Sequence, residues 1–137
     1  MTTTMRQTAL AAIAAQYAHE FAAANRIYAH LVDLTAKKSA RGDDLDAASD
    51  ALATATDALA AAVTAGVGIY SAAVTYAARF ESRSRAVNDY YDTAGDVSAI
   101  ETALDIALSR ALAARHDLSA ATRAADRSDT PVMAAAS

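Results

Sequence analysis

Apolar side chains recur at alternating intervals of three and four residues along most of this chain, the spacing of helices that each bury one stripe. The first stripe holds Leu10, Ile13, Tyr17, Ala24, Ile27, Leu31 and Leu34, interrupted by Glu20 and flanked by Phe21 and Tyr28. It predicts a helix over 4–39, opened by the Thr2-Thr3-Thr4 cap cluster and closed by Lys37 and Lys38 at its negative end. The segment ARGDDLD at 40–46 then predicts a turn at Gly42, with Asp43 or Asp44 capping the next helix. Arg41-Gly42-Asp43 also spells an adhesion tripeptide, but a turn between helices selects the same residue types.

From Leu45 a seven-residue register runs through Leu52, Leu59, Gly66, Ala73, Phe80, Val87 and Ala94. Ala48, Ala55, Ala62, Ile69, Tyr76, Arg83 and Tyr90 supply its second position, with Arg83 the one misfit. The phase does not slip across Gly66-Val67-Gly68, which predicts one very long helix over 44–94, bent at the glycines. A break into two helices there is the alternative, because each helical glycine costs about 1 kcal/mol. Thr93-Ala94-Gly95-Asp96 predicts the next turn, capped by Asp96 or by a Ser98/Glu101 capping box. A last helix over 97–127 carries Val97, Ile100, Leu104, Ala107, Ala111, Ala114 and Leu118, widened by Leu108 and Leu112. The expected fold is all-α, an elongated antiparallel three-helix bundle forming one domain over 1–129, with a tail at 130–137 that contains Pro131.

Composition sharpens this picture. Of 137 residues, 41 are alanine, the strongest helix former and a poor source of apolar area. Tryptophan and cysteine are absent, so disulfide and thiolate chemistry are excluded. A net charge of −4 argues against nucleic acid as a partner. The N-terminal apolar run is too short and too diluted by alanine for a secretory h-region.

Charge is scarce in two places. Residues 7–25 carry only Glu20, and residues 58–78 carry no charge. The exposed arc of a bundle helix is normally charged, so faces made of Ala, Thr, Ser and Gly are expected to meet other protein or lipid. Residues 58–78 are long enough to span a bilayer, but one Leu, one Ile and three Val make weak hydropathy, and a membrane is not the favoured partner. The expected partners are copies of the same chain or other structural subunits. Tyr17, Phe21, Tyr28, Gly66, Gly68, Tyr70 and Tyr76 are the candidate interface residues.

Tyr17-Ala18-His19 returns as Tyr28-Ala29-His30, eleven residues or three turns later, on nearly the same face. The two histidines are then about 16 Å apart along the axis, too far for one ligand, so the repeat is expected to serve packing. His30 with Asp33 is expected to form a surface ion pair rather than a metal site. None of the three glutamates begins a Glu-x-x-His pair, and Gly66-Val67-Gly68 lacks the setting of a phosphate loop. No enzymatic activity and no cofactor are expected. The sequence is best accounted for by a self-assembling helical protein such as a virion, filament or shell component. A membrane-associated or secreted helical hairpin, pilin-like, and a small-ligand-binding bundle are the alternatives.

Overall fold

The computed structural model describes residues 3–129, and these are almost entirely helical, with no strand among them. Among the described residues there are two helices rather than three: α1 spans Thr3–Ala65 and α2 spans Ile69–Asp129. Gly66-Val67-Gly68 alone joins them. Gly66 has φ of 70° and Gly68 of 73°, the left-handed region that side chains disfavour. The Gly66 amide still donates to the Ala62 carbonyl at 2.9 Å, ending α1, and the Gly68 carbonyl accepts from the Ala72 amide at 3.0 Å, starting α2.

The expected three-helix bundle is therefore corrected to a two-helix chain. No turn forms at 40–46 or at 93–96: Gly42 and Gly95 lie inside helices, and so do the expected caps Asp43, Asp44, Asp96 and Ser98. The expected long central helix is broken instead. A solitary glycine costs a helix about 1 kcal/mol, less than the hydrogen bonds and paired faces that a break would forfeit. Two glycines one residue apart supply both left-handed positions of a tight reversal. The predicted tail at 130–137 lies outside the described residues.

The chain divides into two compact units, Leu31–Ala99 and, from the two chain ends, Met1–His30 with Ile100–Ser137. In the unit holding the turn, the ring of Tyr90 lies against Gly42, where a Cβ would stand 3.6 Å from it. Arg83 Nε donates to Ser49 Oγ at 3.1 Å. Gly42 and Tyr90 are equally far in sequence from Gly66, as are Ser49 and Arg83, so this pairing is antiparallel and in register. In the terminal unit the same direction holds: Leu10 and Ile13 line a groove with Ala121 and Ala125, while Tyr17 and Phe21 line one with Ala111 and Arg115.

Burial follows a strict heptad along α1. Leu10, Tyr17, Ala24, Leu31, Lys38, Leu45, Leu52 and Leu59, and the intervening Ile13, Glu20, Ile27, Leu34, Arg41, Ala48, Ala55 and Ala62, are all buried or half-buried. Glu20 and Arg41 thus occupy packing positions without breaking the helix. Glu20 accepts a 2.7 Å bond from Gln16 Nε2, and Arg41 pairs with Asp44 at 3.5 Å. In α2 the covered columns run Ala86, Tyr90, Thr93, Val97, Ile100, Leu104, Ala107, Ala111, Ala114 and Leu118. Phe80, expected on the packing stripe, stands 52% exposed instead, because the covered positions on either side of it are Tyr76, Ser82 and Ala86.

Candidate interaction faces

The side chains that this fold buries are small. Among the described residues only Ala24, Ala55, Val97, Ala107, Ala111, Ala114 and Thr93 are buried, and no large side chain is fully enclosed. A buried methyl contributes about 0.8 kcal/mol, against about 1.5–3 for a whole Leu or Phe side chain. Two helices facing each other along one seam cover only that seam, so the large apolar groups beside it stay wet. Phe21, Tyr28, Tyr70, Phe80, Tyr91, Leu108 and Leu112 are all between 47% and 84% exposed.

In the terminal unit these groups gather on one side. Tyr17 sits half-buried at the seam with its ring 5.9 Å from that of Phe21. Phe21, Leu112 and Arg115 line the same shallow groove, and Tyr28 follows Phe21 by one heptad on that flank. The opposite groove is more polar at its rim, with Gln16 and Asp117 beside Ile13 and Ala114. In the unit holding the turn, a groove lined by Arg41, Asp44, Ser82, Arg85 and Asp89 forms a charged side. Tyr90 there stacks edge-on with Tyr91 at 5.5 Å and has the Lys38 ammonium 6.0 Å from its ring centre.

Of the seven predicted interface residues, Tyr17, Phe21 and Tyr28 come together in the terminal unit. Gly66 and Gly68 form the turn rather than a packing face, and Tyr70, 84% exposed, stands just beyond them. Tyr76 is half-buried, with its ring 6.3 Å from Phe80. Leu108 and Leu112 were legible only as a widening of the last stripe. Their position outside the seam follows from the heptad phase, which assigns Leu104 and Ala111 to the packing columns.

Several hydroxyls turn back onto the helix backbone. Thr8, Thr56, Thr64, Thr75, Ser84, Thr93 and Thr122 each donate to the carbonyl four residues earlier, at 2.8–3.1 Å. A hydroxyl so engaged has spent its donor and presents a methyl or a bare oxygen outward. Of these, Thr8, Thr64 and Thr75 lie in the two segments poor in charge.

His19 and His30 are both exposed, and among the described residues no three His, Cys, Asp or Glu side chains are grouped to hold a metal ion. The expected His30–Asp33 ion pair does not form. Among the described residues no helix is long and apolar enough to cross a membrane. In comparison with known proteins, no family model, no curated protein and no solved structure matches this chain.

Proposed function

We propose that this chain is a non-enzymatic structural protein that self-assembles through its uncovered helix flanks, as a component of a virion, a filament or a shell. One observation supports this above the rest: the seam between the helices fully buries almost only alanine, while large apolar side chains such as Phe21, Tyr28, Tyr70, Phe80, Tyr91, Leu108 and Leu112 lie beside it in water. Contiguous exposed apolar flanks of this kind mark interaction surfaces on soluble proteins. The inward-turned hydroxyls and the scarcity of charge over residues 7–25 and 58–78 lower the cost of drying those flanks against another subunit. Copies of the same chain are the simplest partners, since each presents the same need.

Sedimentation velocity and light scattering over a dilution series, with and without detergent, test the proposal. Self-assembly predicts a mass above that of one chain, falling on dilution and little changed by detergent. A single-chain mass at every concentration overturns it, and a species stable only with detergent points to a lipid partner instead.

A further inference from the structure

One flank of the terminal unit is symmetric in a way that a chance surface is not. Along α2, Glu101, Leu108 and Arg115 follow one another at heptad spacing, so they lie on one line with opposite charges equidistant from a central leucine. All three are exposed, and neither Glu101 nor Arg115 makes an ion pair within the described residues. Because Arg115 lines a groove with Phe21, α1 contributes Phe21 and Tyr28 to this same side. Antiparallel pairing sets Tyr17 across from Arg115 and Phe21 across from Ala111. Continued by a turn, it brings Leu108 level with Ala24, about midway between Phe21 and Tyr28. The charged line and the aromatic line therefore share one centre.

We infer that this flank is a two-fold interface between copies of this chain, with the symmetry axis at the level of Leu108. The inference rests on the self-assembly reading and specifies its register. Half a turn about an axis lying in the face and perpendicular to the helices stacks α2 on α2 and α1 on α1, each pair antiparallel. Leu108 then meets its own copy, Glu101 meets the partner's Arg115 twice over, and Phe21 meets the partner's Tyr28. The result is an isologous contact that closes four helices around a new core. Phe21, Tyr28, Leu108 and Leu112 are 49%, 57%, 47% and 63% exposed. Together they offer on the order of 450 Å² of surface, more than half of the ~800 Å² per partner of a standard interface. The rest comes from the alanines and the stems of Glu101 and Arg115 around them.

Charge reversal tests the register. Glu101→Arg and Arg115→Glu should each place like charges together twice and weaken association by roughly ten-fold or more. Mixing the two single variants should restore association, as a mixed dimer, and so should combining both changes in one chain. The chain has no cysteine, so Leu108→Cys gives a second readout in otherwise unaltered protein. On mild oxidation it should form a disulfide-linked dimer, and Asp117→Cys on the opposite side should not. If the chain self-associates but charge reversal changes nothing and Leu108→Cys does not cross-link, this interface is wrong while the self-assembly reading stands. If the unaltered chain has a single-chain mass throughout, both fall.

Discussion

Four glycines carry opposite duties, and their substitution by alanine separates them by sign. Gly66 and Gly68 hold positive φ, so alanine at either should cost about 1 kcal/mol or somewhat more. Gly95 sits in an exposed helix interior with open space around it, and Gly95→Ala should stabilise by about 0.5–1 kcal/mol. Gly42→Ala should also stabilise, since its Cβ would make an ordinary 3.6 Å contact with the Tyr90 ring. Urea unfolding of the four variants reads all four signs, and a three-helix bundle with turns at Gly42 and Gly95 would reverse them. Residue identity alone misleads here, because Gly42 followed by two aspartates has the chemistry of a turn. What decides is the neighbour across the seam, Tyr90, whose distance in sequence hides it.

Helical character and packing phase were legible, but the number of helices and their ends were not. The covered positions of α1 keep a single heptad phase from Leu10 through Leu31 and on through Leu45 to Leu59, across Lys38 and Arg41. Phase is also kept across Gly95, from Tyr90 to Val97, and across the real turn, from Ala62 to Tyr76 two heptads on. Periodicity therefore identifies the packing columns well and cannot locate the break, since a three-residue reversal preserves it. Lys38, Arg41 and Asp43 in succession mimic a helix end, whereas the Lys38 ammonium lies over Tyr90 and Arg41 bonds to Asp44. Because Asp96 lies inside α2, Asp96→Pro should cost about 3 kcal/mol, with a measurable loss of helical circular dichroism. A cap or first-turn position would tolerate that change. Tyr90→Ala should cost about 1–2 kcal/mol by removing a half-buried ring from against Gly42.

For the molecule as a whole, a buried complement of alanines implies that folding and association reinforce each other. The melting temperature should accordingly rise with protein concentration, as it does whenever the folded state binds a copy of itself. Calorimetry over a dilution series measures this, and a concentration-independent transition counts against it. The candidate interface was partly legible: Tyr17, Phe21 and Tyr28 come from the sequence, where Leu108 shows only as a widening of the last stripe, but Arg115 emerges only when the antiparallel pairing sets it beside Phe21. The equal pacing of the two strands of helix around Gly66 carries a further consequence, which concerns length. Excising residues 50–56 alone would slide one arm past the other by two turns, leaving Tyr90 opposite Thr35 and Gly42 opposite Arg83. Excising residues 76–82 as well would bring Tyr90 back to Gly42. Such a chain can be shortened or extended in matched modules, like a ladder that loses a rung only when both rails are cut.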